Sequence, residues 1–138
     1  MDQSELFKEI DLIQNCIERM TRNSFLIKGW SLTIFVTSSA LLRKDVIDNT
    51  WLLFTCVIIP YFCFWQLDAF FLNTEKKYRQ MYEWVLKNRK QGNLDFQYDL
   101  NPKRFGKKTS CVKTMFSRTQ VVFYGFPIIA IIFAKWLL

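Results

Sequence analysis

The chain contains no histidine, only four glycines and three prolines, and its four cysteines show no CxxC spacing. Without histidine the usual proton shuttle near neutral pH and the commonest nitrogen ligand for zinc are both gone. Cys16, Cys56, Cys63 and Cys111 are therefore expected to be structural or incidental thiols, and no metal is expected. There is also no nucleophile elbow, no P-loop, no cluster of intramembrane carboxylates and no Arg-x4-His nuclease motif. An enzyme is not expected, nor a cofactor. No internal repeat or low-complexity tract is evident.

What the chain does have is long apolar runs. They occupy residues 25–42, 51–72 and 121–138, and the first and last are 18 residues each. At 1.5 Å per residue an 18-residue helix spans about 27 Å, close to the hydrocarbon thickness of a bilayer. The expected fold is an all-α membrane protein with three transmembrane helices, an N-terminal amphipathic helix and a small basic cytoplasmic layer. A signal peptide is not expected, because a charged stretch of 24 residues precedes the first run.

Charge sets the expected orientation. Residues 73–120 hold twelve Lys and Arg against four Asp and Glu, and the N-terminal side adds Lys8, Arg19, Arg22 and Lys28. The short 43–50 connection has only Arg43 and Lys44, beside Asp45 and Asp48. The positive-inside rule then predicts a cytoplasmic amphipathic helix at 1–24, a first span at 25–42, an external turn at 43–50 and a second span at 51–72. A basic cytoplasmic region at 73–120 and a third span at 121–138 follow, with the C-terminus outside, Lys135 snorkelling and Trp136 near the interface.

Periodicity fills in the polar parts. Leu6, Ile10, Ile13, Ile17 and Met20 recur at helical spacing and form an apolar stripe, expected to pack on cytoplasmic helices or the membrane surface or to act in gating and assembly. Residues 73–90 contain no Gly or Pro and place Tyr78, Met81, Tyr82 and Val85 on one face, so the second span is expected to continue as one long helix until Gly92. Residues 94–100 alternate apolar and polar, which predicts an extended segment closed by Pro102.

Three features could carry function. The basic connection is either a topology signal that also attracts anionic lipid, or a binding surface for a nucleotide or oligonucleotide. In the second case Lys103, Arg104, Lys107 and Lys108 meet phosphates, with Lys76, Lys77 and Lys113 as neighbours and Phe105 available to stack on a base. The first span places Ser24, Lys28, Ser31 and Ser38 along one face, with Phe35 between them, and Thr33 and Thr37 on the other side. Such residues suit close helix contacts. Alternatively Ser31, Phe35, Ser38 and Leu42 line an axial path in a homo-oligomer, with Phe35 and Leu42 as constrictions that gate by dewetting and Gly29 beside Trp30 as a bend. Asp68, at the cytoplasmic end of the second span, is expected to pair with Lys28 at the same membrane level or to serve the path itself. Pro60 is expected to kink the second span and expose carbonyls.

One resemblance is carried by Asn23-Ser24-Phe25-Leu26-Ile27-Lys28-Gly29-Trp30 entering the first span and by Phe64-Trp65-Gln66-Leu67-Asp68 with Glu75, Tyr78, Arg79 and Tyr82 downstream. Over most of its length the chain resembles small multi-pass bacterial membrane proteins of antiphage defence, most of all the channel-forming effector of Hailong-type systems. That resemblance implies an oligomeric channel of the bacterial inner membrane, with a tetramer as the stoichiometry. It also implies control by a DNA oligomer or nucleotide made by a partner nucleotidyltransferase, with membrane depolarisation as the outcome. A non-conducting membrane anchor or accessory subunit that recruits a soluble acidic partner is the alternative, and a phage-type holin the third.

Overall fold

The computed structural model describes residues 3–41, 50–108 and 110–137. The chain is all-helical, with no strand among the described residues: α1 covers Gln3–Leu41, α2 Thr50–Lys90, α3 Cys111–Met115 and α4 Arg118–Leu137, and a 3-10 helix at Pro102–Lys108 precedes α3. The expected turn at 43–50 lies, apart from its last residue, outside the described residues, as does Leu42.

The amphipathic stretch and the first apolar run are one uninterrupted helix, which also passes through Gly29. α2 likewise runs through Pro60 without a break and on to Lys90. It ends where the sequence predicts, at Gly92, whose φ of 77° is the left-handed conformation a side chain resists. The amide of Gly92 donates to the Arg89 carbonyl and that of Asn93 to the Asn88 carbonyl, the paired bonds of a Schellman cap.

α1 and α2 pack antiparallel along most of their length. As numbers rise on α1 they fall on α2: Glu9 meets Arg89, Lys28 meets Asp68, and Phe35 meets Tyr61. In the charged half of the hairpin the two predicted stripes form the core, where Ile13, Tyr78, Met81 and Val85 are buried and Ile17, Met20 and Tyr82 close around them. α4 lies antiparallel to α2, with Gln120 against Asp68 and Tyr124 against Tyr61. Pro127 has no N–H for the Phe123 carbonyl, and beside that opened turn the Tyr61 hydroxyl donates to the Tyr124 carbonyl at 3.0 Å.

Residues 94–100 correct the expectation of an extended segment. They form tight turns in which Phe96 and Tyr98 both take φ of 58°, unusual for large side chains. Alternation of apolar and polar residues implies a strand only where a partner strand offers hydrogen bonds, and an all-helical chain offers none.

Among the described residues one helix, α2, is long and apolar enough to cross a membrane by length and composition. Large apolar side chains are nevertheless exposed on three helices: Phe25, Trp30 and Val36 on α1, Ile59, Phe62 and Phe70 on α2, and Val122, Phe126, Ile129 and Phe133 on α4. A soluble domain rarely exposes so continuous an apolar surface.

Candidate functional site

Asp68 is the centre of the three-helix contact, and none of its surface is exposed. Around it stand one cation and three neutral donors. Lys28 Nζ forms an ion pair with Oδ2 and also donates to Ser24 Oγ at 2.9 Å, and the Ser24 hydroxyl donates to Oδ1. From α4, Gln120 Nε2 donates to Oδ2 at 2.8 Å and the Tyr124 hydroxyl at 3.2 Å. Ser24, Gln120 and Tyr124 are themselves buried. An isolated carboxylate in such surroundings would be strongly destabilising; one cation and three donors offset that desolvation.

The helical repeat explains how one carboxylate collects these partners. Ser24 and Lys28 are four residues apart on α1, and Gln120 and Tyr124 four apart on α4, so each helix presents two groups on one face at successive turns. Aromatic rings close the site on its apolar side, where Tyr61 and Tyr124 meet edge to face at 5.4 Å and Trp65 stacks on Tyr124 at 5.9 Å. Phe123 lies under Lys28 Nζ at 5.9 Å, a further contact for the cation. The Trp65 indole N–H donates to the Met115 carbonyl and ties α3 to the same place.

The Lys28 and Asp68 singled out in the sequence are thus in direct contact. Ser31 is fully buried, its hydroxyl donating to the Lys28 carbonyl at 2.8 Å, while Phe35 is half-buried on Tyr61 at 5.7 Å and Ser38 is half-buried. That face of α1 is turned toward its own α2 and α4. Thr33 and Thr37 are exposed on the other side, each donating to a carbonyl one turn back.

The candidate phosphate-binding residues are dispersed. Lys76 Nζ reaches Thr114 Oγ1 at 3.4 Å on α3, Lys77 is half-buried, and Lys103 and Lys113 are exposed. Arg104 lies over the Phe96 ring at 3.8 Å and pairs with Asp99 at 3.6 Å. Phe105, half-buried, packs on Trp84 at 6.0 Å and against the helix core. Trp84, which anchors Arg104 and Phe105, lies eight residues beyond Lys76 on α2, about 12 Å along the axis. The side chains of Lys107 and Lys108 lie outside the described residues.

A second buried charge pair escaped the sequence reading. Arg89 grips Glu9 with two parallel bonds of 2.8 and 2.9 Å, and each side chain is only 2% exposed. The Arg89 fork also donates to the Asn93 and Asp95 carbonyls, and the Tyr98 amide donates to Glu9 at 3.2 Å, so the pair fastens the turn segment to both long helices. Burial pushes the Glu9 carboxyl up, but the bonds from Arg89 and Tyr98 and the Arg89 charge outweigh it and hold Glu9 below the ordinary carboxylate range. The signal was present: Glu9 falls on the α1 apolar stripe three residues after Leu6 and four before Ile13, and Arg89 falls four after Val85 on the facing stripe. Opposite charges on two mating apolar stripes must meet or remain unpaired. Gln120 gave a weaker signal, a polar residue immediately before an apolar run.

Compared with protein-family models, with curated proteins and with solved structures, the chain finds no match.

Proposed function

We propose that the chain is a three-span bacterial inner-membrane protein whose copies assemble around an axis, as a tetramer, into a gated ion channel. An anionic nucleotide or DNA oligomer on the cytoplasmic side controls it, and depolarisation is its output in antiphage defence. The observation that carries the reading is the buried Lys28–Asp68 centre, ringed by exposed apolar side chains on α1, α2 and α4. A charge pair at membrane depth is an expensive feature that a passive anchor does not need, and such pairs mark conduction or switching elements. Apolar surfaces on all three helices support the three-span reading, and the 12:4 ratio of basic to acidic residues in 73–120 supports a cytoplasmic placement of that segment.

In this reading the arrangement with Ser31 buried and Phe35 on Tyr61 corresponds to the closed channel. Opening separates α1 from α2 and α4 at the Lys28–Asp68 pair and turns the Ser31, Phe35 and Ser38 face toward the axis. A controlling ligand must bind one arrangement better than the other, since equal affinity shifts nothing. The enclosure of that face also favours a second reading, a non-conducting anchor in which the polar centre only fixes helix packing.

Conductance separates them. Planar-bilayer recordings of the purified protein are expected to show discrete openings, and Asp68→Asn, which removes the charge but keeps the shape, is expected to raise open probability severalfold. Silence from the parent protein and from a folded Asp68→Asn variant would establish the anchor.

A further inference from the structure

Three of the described arginines have acidic partners: Arg79 with Glu75, Arg89 with Glu9, and Arg104 with Asp99. Arg19 and Arg22, like Arg118, have no hydrogen bond or ion pair among the described residues. Both line one groove of about 550 Å³ between α1 and Leu100, together with Leu12, Asn15, whose amide donates to Asp11 at 3.3 Å, Cys16 and Glu18. Leu100 is held there by its packing on the Ile13 and Met81 core, so the groove is built by the fold rather than by a loose loop. It is an open groove, with Leu12, Asn15, Glu18, Arg19 and Arg22 all exposed.

Residues three apart on a helix share a face, so the two guanidinium groups can converge on one anion. Guanidinium forks bind phosphate oxygens through two parallel bonds, with shape as well as charge selecting the ligand. Arg22 precedes Phe25 by three residues, about 4.5 Å along the helix, and Phe25 is 76% exposed at the start of the apolar surface. The pair therefore stands at the polar edge of the apolar zone. Leu12 and Leu100 are the apolar residues of the lining, and Glu18 offsets one of the two positive charges, so the groove suits one phosphodiester group of a ligand at a time.

We propose that this groove is a phosphate-ester site in which Arg19 and Arg22 bind the phosphate, and Leu12 and Leu100 contact the rest of the ligand. The same chemistry is found in an anionic phospholipid headgroup and in a nucleotide. The nucleotide source rests on the channel reading above; the lipid source does not.

Two probes distinguish these sources, with the full chain in nanodiscs. Fluorescence anisotropy of a labelled thymidine tetranucleotide is measured in phosphatidylcholine discs across salt concentrations. The melting midpoint is compared between phosphatidylcholine discs and discs with equal parts of phosphatidylglycerol. Arg19→Gln/Arg22→Gln is set against Lys87→Gln/Lys90→Gln, an equal charge change elsewhere on the cytoplasmic side. If the ligand is a nucleotide, the arginine variant binds the oligonucleotide at least tenfold more weakly, with a log–log salt slope flatter by about 0.7 for each phosphate that the variant no longer neutralises, while the lysine variant keeps both. If it is a lipid headgroup, the parent and the lysine variant melt higher in phosphatidylglycerol and the arginine variant loses that gain. Arg19→Lys/Arg22→Lys keeps the charge without the fork, and it should bind between the two. Equal losses in the arginine and lysine variants, or no response of the parent to either probe, overturn the site. Neither result bears on conductance, so the channel reading stands or falls separately.

Discussion

At the residue scale the molecule is organised by two buried carboxylates, each answered by a cation from the neighbouring long helix. Glu9 and Arg89 hold the charged end, Asp68 and Lys28 the apolar end. Removing one partner of a buried pair leaves an uncompensated charge, so Arg89→Met is expected to destabilise by about 3–5 kcal/mol. Replacing both, as Glu9→Leu with Arg89→Met, should recover part of that loss, because neither residual charge is then left buried. Melting midpoints of the two variants in one detergent test this; a double variant that melts below Arg89→Met would remove the pairing argument. Glu9 also gives a pH dependence whose sign is fixed. Its carboxyl is held below its unfolded value of about 4.3, so its contribution is complete above that pH and is lost as pH falls through the folded value. Glu9→Gln should accordingly lower the melting midpoint at neutral pH and narrow its gap to the parent below about pH 4.

At the scale of elements, α1 is one helix that does two jobs along its length. Its first half packs an apolar stripe on α2, and its second half carries exposed Phe25, Trp30 and Val36 on one side and Ser24, Lys28 and Ser31 inward on the other. Its two faces predict different mutational behaviour. Phe35 contacts Tyr61 across the α1–α2 seam, so Phe35→Ala opens space beside the aromatic cluster and is expected to raise leak current. Thr33→Ala, on the exposed side, removes only a hydroxyl bonded to its own helix and should leave leak near the parent level. Bilayer recordings of the two variants give the comparison, and equal effects would detach Phe35 from the path. The turn segment that follows α2 is the element whose form the sequence pattern missed. Its alternation resembled a strand, whereas Arg89 bonds to the Asn93 and Asp95 carbonyls, Arg104 stacked on Phe96 and the Tyr98 amide on Glu9 hold it as turns.

At the scale of the whole molecule, α1, α2 and α4 run antiparallel in succession, and in the proposed topology the charge distribution puts the basic ends on the cytoplasmic side. A cysteine at position 107 is expected to resist an impermeant maleimide in intact spheroplasts and to react after permeabilisation, in a background lacking Cys16, Cys56, Cys63 and Cys111. A cysteine at position 48 should react in both states. Labelling of position 107 in intact cells would reverse the topology and with it the cytoplasmic placement of the Arg19 and Arg22 groove.

The all-helical class, the long second helix and its stop at Gly92 were determined by the sequence alone, because each depends on local physics: apolar run length, helical periodicity and the conformational freedom of one glycine. Lys28 and Asp68 were legible as partners because both are charges beside apolar runs, where an unpaired ion is costly at any geometry. The tertiary structure alone decided that Ser24, Gln120 and Tyr124 complete that site, that Ser31 is buried between the helices, and that Phe105 packs against the core. These depend on the rotation of each helix about its own axis. A wheel shows which residues share a face, but only the packing of one helix against the next decides which way that face turns.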